Sequence, residues 1–170
     1  MNGQTKVYQI PPYAEEGSLG STSYVNPIEV IPGVRAAGTV YAGRWVWSAT
    51  DLGSIEERVV EQFGANTGSD LAGLLGLCYR NITAYLPTTL GASLGYAEGQ
   101  AIPVASGSAF WVKTKTQATV GQKAFAVLAD GTTKTGATGA SIVGAIEVGW
   151  KVVAFMNTGE IDDLILIEKI

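Results

Sequence analysis

The feature that most constrains this chain is its punctuation. From residue 100 onward, short apolar runs recur as QAIPVAS, SAFWVKT, KAFAVLA, SIVGAIEV, WKVVAFM and DDLILIEKI, separated by Gly, Asp or Asn turns. Runs of this length at roughly 8–15 residue spacing are the pattern of a β-sandwich or barrel. The 22 glycines stand well above ordinary usage, and long Leu/Glu/Lys/Ala stretches are missing, so helices find little support. The fold expected is all-β: a single jelly-roll or barrel-like β-sandwich over residues 37–170, with an extended N-terminal arm over residues 1–36.

Four of the six prolines (Pro11, Pro12, Pro27 and Pro32) fall in that arm. Proline disfavours helix at the residue before it and removes a ladder donor, so the segment is expected to be extended. It also carries Tyr8, Ile10, Tyr13, Tyr24 and Ile28, too apolar for a plain disordered tail. Two readings follow: an arm folded back over its own domain, or an arm laid on a neighbouring subunit.

In GTVYAGRWVWSA, residues Tyr41, Trp45 and Trp47 fall on one face at period two, with Val40, Arg44 and Val46 on the other. Such aromatics suit a core or an interface. A sugar-stacking platform built from Trp45, Trp47, Trp111, Trp150, Tyr79, Tyr85 and Tyr96 is the less favoured use. Tyr8, Ile10, Tyr13, Tyr24, Ile28, Trp45 and Trp47 are therefore the candidate subunit or partner contacts. SIEERVVEQFG reads as a short helix with Ser54 as N-cap and Glu57 at the third position, although ERVVEQF also suits a strand. In LAGLLGLCYRNITAYLP two internal glycines favour a long strand or strand pair. LILI (164–167) is apolar on both faces, and a sandwich strand buries only one, so the arm or another subunit is expected on the second.

Catalysis finds no home in this sequence. ADGTTKTGATGAS (129–141) has Gly131 and Gly136 at phosphate-loop spacing, but Ala137 stands where the lysine belongs. Asp130-Gly131 after an apolar strand signals a hairpin turn instead. The chain has no histidine, which removes Ser-His and Cys-His systems and the commonest metal ligand. The carboxylate pairs Glu15-Glu16, Glu56-Glu57 and Asp162-Asp163 read as solvated turn and surface charges, since neighbours on a strand face opposite ways. Cys78 reads as a small buried residue. No enzyme activity, cofactor or metal is expected.

The net charge of −4 and the absence of a basic cluster argue against nucleic acid. The first residues show no apolar signal segment, and no uncharged run approaches bilayer length, so synthesis in a cytoplasm without membrane partners is expected. Charged residues make up only 15% of the chain, and part of such a surface is expected to be covered by partners.

The stretches AAGTVYAGR, EGQAIPVASGSAFWV, VGQKAFA and the closing TGE with its isoleucine-rich strand, spread over residues 36–170, resemble the capsid cement (decoration) proteins of some tailed bacteriophages. That resemblance implies a β-rich homo-oligomer, dimer or trimer, on the outer capsid surface of the virion. It would bridge neighbouring major capsid proteins and stabilise the expanded head. It supplies no catalytic residues. Two other classes share the composition: another virion structural protein of the tail or head completion, and a carbohydrate-binding jelly-roll module.

Overall fold

A computed structural model describes residues 15–20, 28–48, 73–80 and 95–170, together with the backbone of residues 58–61. The described residues form thirteen strands and no α-helix. They are β1 (Glu29–Ile31), β2 (Val34–Ala36), β3 (Val40–Tyr41), β4 (Arg44–Ser48), β5 (Arg58–Glu61), β6 (Leu74–Cys78), β7 (Gly95–Tyr96), β8 (Val104–Gly107), β9 (Ala109–Lys113), β10 (Lys123–Val127), β11 (Thr133–Gly136), β12 (Ala145–Phe155) and β13 (Leu164–Lys169). The all-β class expected from the turn pattern is what the chain adopts.

Three sheets stack in layers. A five-stranded sheet runs β11-β10-β12-β13-β9, a six-stranded sheet runs β1-β8-β6-β4-β5-β2, and β3 pairs with β7. Strand pairing is antiparallel throughout except between β2 and β5. Trp45, Trp47, Leu77 and Ala105 of the six-stranded sheet meet Phe110, Val112, Ala124, Ala126, Trp150, Val152, Ile165 and Ile167 of the five-stranded one. Period two carries each strand's alternate residues into this interface. Burying an indole here is worth about 4–6 kcal/mol as an upper estimate at ~25 cal/mol per Å².

The other face of the six-stranded sheet is equally apolar, and the chain covers it itself. Val34, Ala36, Val46, Cys78 and Val104 form a second core with Val40, Tyr96 and Ile102. A third layer thus explains β4, where Trp45, Val46 and Trp47 are all fully enclosed. The five-stranded sheet hides its outer face differently. Phe125 lies under Ile142, which comes within 3.2 Å of the place a Gly136 Cβ would take, while Gly20 packs against Leu166. The expectation of an arm over the second face of LILI therefore holds at Leu166, whereas β4 needs no partner.

Two local readings change. Residues 58–61 are a strand rather than a helix, wedged between β4 and β2. The β-branched pair Val59-Val60 suits a strand; Ser54 and Glu57 lie outside the described residues. In LAGLLGLCYRN, strand β6 covers only residues 74–78, and at its centre a Cβ on Gly76 would lie 2.2 Å from the Ala105 carbonyl oxygen. Only glycine permits that approach.

Of the segment expected as an arm, residues 15–20 and 28–36 are built into the sheets. Leu19 bridges Phe110. Ser18 and Trp111 are hydrogen-bonded through Trp111 N–H, while Gly17 N–H and Gly20 N–H donate to the carbonyls of Trp111 and Ala109. This short strap lies along β9. Tyr8, Ile10, Tyr13 and Tyr24 lie outside the described residues.

Candidate functional site

The places where sequence suggested chemistry prove to be structural. Residues 129–141 open as a hairpin between β10 and β11, with Gly131 at φ +65°. Asp130 Oδ1 accepts hydrogen bonds from Thr132 N–H and Oγ1–H at 3.0 and 2.7 Å, closing the turn. Strand β11 takes the place of the loop between Gly131 and Gly136, and turns follow where a phosphate loop would open a helix. Cys78 is enclosed in the second core, and burial pushes its thiol far above the ordinary cysteine range. Among the described residues no cluster of His, Cys, Asp or Glu could hold a metal ion.

The two described carboxylate pairs, Glu15-Glu16 and Asp162-Asp163, hold the fold rather than flank a cleft. Glu15 pairs with Arg80, and Glu16 lies 3.6 Å from Arg44. Glu16 is not the solvated charge expected: it is only 8% exposed. Burial raises its pKa, partly opposed by Arg44, Lys113 and Lys115. It is held there because Gly43, at φ +80°, leaves room for its side chain. Asp162 pairs with Lys115, whose hydrogen bond and charge lower its pKa. Asp163 is partly desolvated, which alone would raise its pKa. The amides of Gly159, Thr158 and Leu164 and the Asn157 side chain outweigh that and lower it. Glu56-Glu57 lies outside the described residues.

The buried aromatic residues are spent on packing. Trp45 Nε1–H donates to Thr133 Oγ1 at 3.0 Å, tying the two large sheets together, and its ring meets Trp150 edge-on at 5.5 Å. Phe110 stacks with Tyr79 at 5.4 Å and lies 6.1 Å from Trp150. Trp45 and Trp47, placed among the candidate partner contacts, sit wholly inside this chain's own core, where no partner reaches them. Of the sugar platform weighed from sequence, Trp45, Trp47, Trp150 and Tyr96 are buried, while Trp111 and Tyr79 are half-buried. Tyr85 lies outside the described residues.

What remains for recognition is the surface, and its backbone edges can be accounted for one by one. The outer edge of β9 is occupied by the strap. The outer edge of β2 is bonded to residues 99–102, with Ala36 N–H donating to Gln100 O and Ile102 N–H to Val34 O. The outer edge of β11 meets the segment after β9: Thr114 bridges Thr133, Lys115 N–H donates to Thr133 O and Thr116 Oγ1 accepts from Thr135 N–H. That contact curls the five-stranded sheet toward a barrel. Among the described residues, only β1 of these terminal strands has no bonded neighbour along its outer edge. It also carries exposed apolar side chains, Ile28 just before it and Val30 within it, the latter 51% exposed.

A second apolar group lies elsewhere. Loops 114–122 and 156–163 are joined by Ala118 N–H donating to Gly159 O at 2.7 Å, and they carry exposed Val120 and Ile161 beside Phe155. Of the seven residues proposed from sequence, the structure thus leaves Ile28 on the surface, encloses Trp45 and Trp47, and does not describe the other four. The strap and the open edge escaped the sequence reading because both arise from long-range pairing. The only local trace was the Glu15-Glu16-Gly17 turn and the proline after β1.

Comparison with known proteins gives a consistent picture. The family model described as XM1 gp53 minor capsid protein matches residues 3–168. Among solved structures, a chain from "The capsid of Myoviridae Phage XM1" superposes with a TM-score of 0.53 at 14% identity, covering 99% of this chain and 97% of that one. At that identity the superposition speaks for the fold. No curated protein matches.

Proposed function

The chain belongs to the XM1 gp53 minor capsid protein family, a structural and not an enzymatic one, and from that premise we propose that it acts as a cement protein on an icosahedral phage head. In this reading it sits on the outer capsid surface and bridges neighbouring major capsid proteins of the expanded shell. The observation that carries the reading is the family match over nearly the whole chain. Supporting it, the described carboxylate pairs, Trp45 and the glycine-rich loop are engaged in holding the fold together. A bridging protein requires stiffness and contact surface, and a three-layered β-fold with a strapped edge supplies both.

Assembly as a closed homo-oligomer, dimer or trimer, would let several weak contacts act together, raising avidity without any single strong interface. Residues 1–36 would divide between the strap and strands already described and a reaching arm in residues 1–14. Residues 37–170 would form the body that bears load.

Sedimentation of the purified protein with expanded heads of the cognate phage lacking it tests the reading. Saturable binding at an icosahedral multiple, with heads surviving heat longer, is the expected result. Absence of binding to such heads, with copies found at the tail or head-completion ring instead, would overturn the cement role while leaving a virion structural role.

A further inference from the structure

The open edge of β1 and the residues that precede the strap fit one another. Edge strands with free amides and carbonyls invite pairing, and soluble proteins usually block them with charge, bulges or covering segments. Among the described residues the chain covers three of its terminal edges itself and nothing bonds the outer edge of β1, where Ile28 and Val30 stand exposed. Residues 5–10, TKVYQI, alternate so that Lys6, Tyr8 and Ile10 share one strand face, with Thr5, Val7 and Gln9 on the other. Pro11-Pro12 closes this run just as Pro32 closes β1, so both prolines fall outside a paired stretch.

We propose that residues 5–10 of one copy add as an antiparallel strand to the outer edge of β1 in a second copy, with Tyr8 opposite Val30 and Ile10 opposite Ile28. The inference rests on the homo-oligomer part of the proposed function and names the contact that closes the oligomer. A second copy is favoured over the same chain by the direction of the strap. Gly17 is bonded at Trp111 and Gly20 at Ala109, while β1 meets β8 at Glu29 and Gly107, so Gly20 lies at the β1 end. The chain preceding Glu15 therefore leaves at the far end. Ile10 is five residues from Glu15, a reach of about 17 Å at ~3.3 Å per residue. That is no more than the length of the strap it would have to retrace, with a reversal and two prolines in the same stretch. In trans, no reversal is needed.

The pairing supplies main-chain hydrogen bonds for affinity and the Tyr8/Ile10 side chains for specificity, the logic of strand addition. It also covers the apolar side chains that β1 exposes.

Two differently tagged full-length chains, V30C and Y8C, are co-expressed and oxidised, and mixed disulfide dimers are measured on non-reducing gels. Native Cys78 is buried and stays out of the exchange. Facing residues of paired strands come close enough for a disulfide. The mixed dimer is expected to exceed, on the order of tenfold, that from Y8C with V143C, since Val143 is exposed but lies between β11 and β12 of the other sheet and lacks the raised effective concentration. In parallel, V30K in the otherwise natural chain is expected to lower the oligomeric mass without changing the far-ultraviolet spectrum. Equal yields from the two pairs, V30C linking to V30C, or an internal link in a monomeric V30C/Y8C double variant would each overturn the exchange. The head-binding assay separates the two proposals: heads that bind the V30K chain with unchanged stoichiometry and affinity would contradict strand exchange alone, whereas a mixed disulfide in a protein that binds no heads would contradict the cement role alone.

Discussion

Replacing Gly43 by alanine should loosen the strap that fastens residues 15–20 to the fold. Gly43 has φ +80°, and a Cβ there would lie 2.2 Å from Glu16 Cγ and 3.1 Å from Gly17 N. Carbon atoms rest about 3.5–4.0 Å apart, so Glu16 must move by more than an ångström. The left-handed backbone alone costs an alanine about 1–2 kcal/mol. Displacing a packed, buried side chain adds about 1–3 kcal/mol, because Glu16 leaves Arg44 behind. The total is about 3 kcal/mol, or a fall in Tm on the order of 10 °C for a chain of this size. Gly33→Ala is the internal control: its φ is +71°, but nothing lies within 4 Å of the added carbon. That variant should lose only about 1 kcal/mol, the backbone share. In the double variant E16A/G43A the obstacle is gone, so its loss should fall short of the two single losses together by about 1 kcal/mol or more. Urea unfolding followed by tryptophan fluorescence reads the natural chain and the four variants G43A, G33A, E16A and E16A/G43A. If G43A is no less stable than G33A, or if E16A and G43A simply add, the strap is not packed as described.

Three further outcomes follow from the same structure. Trp45→Phe should destabilise by about 2–4 kcal/mol in thermal unfolding, through a smaller ring beside Trp150 and a buried Thr133 hydroxyl left without its indole donor; a loss under ~0.5 kcal/mol would deny the indole any bridging role. Asp163 has a lowered pKa, so its contribution is present above the ordinary aspartate range and is lost as pH falls through the folded value. Asp163→Asn should therefore cost about 1 kcal/mol at pH 7, allowing for solvent screening, and progressively less as pH falls below the ordinary aspartate value, and a cost that does not change with pH would contradict the capping role. Glu16 is the opposite case: its raised pKa gives stability that is full below the ordinary glutamate value and declines as pH rises through the folded value. Glu16→Gln should remove that decline, so the variant gains on the natural chain between pH 4.5 and neutrality, and parallel pH profiles would refute it.

The β-class was legible because turn chemistry is local: Asp130-Gly131 signals its own hairpin, and short apolar runs such as RWVWS and LILIEKI between turns mark strands without reference to anything distant. Layering was not. That Val46 and Cys78 would meet Val40 and Tyr96 depends on a two-stranded ribbon whose halves lie more than fifty residues apart. The same limit applied to Arg58–Glu61, where a helical capping pattern competed with two β-branched residues and the flanking strands decided the outcome. Trp45 and Trp47 had the right face but could not reveal what lay against it, since a core and a subunit interface ask for the same rings. Glu16 shows the reverse error: a carboxylate beside a turn reads as solvated until Gly43 is seen making room for it.

The cement role is tested most directly by electron cryomicroscopy of mature virions of the cognate phage. The expected result is density for the layered β-fold on the outer shell, each copy touching at least two neighbouring capsomers and repeated with icosahedral symmetry. Density confined to the tail or the head vertex, with a bare shell elsewhere, would contradict it.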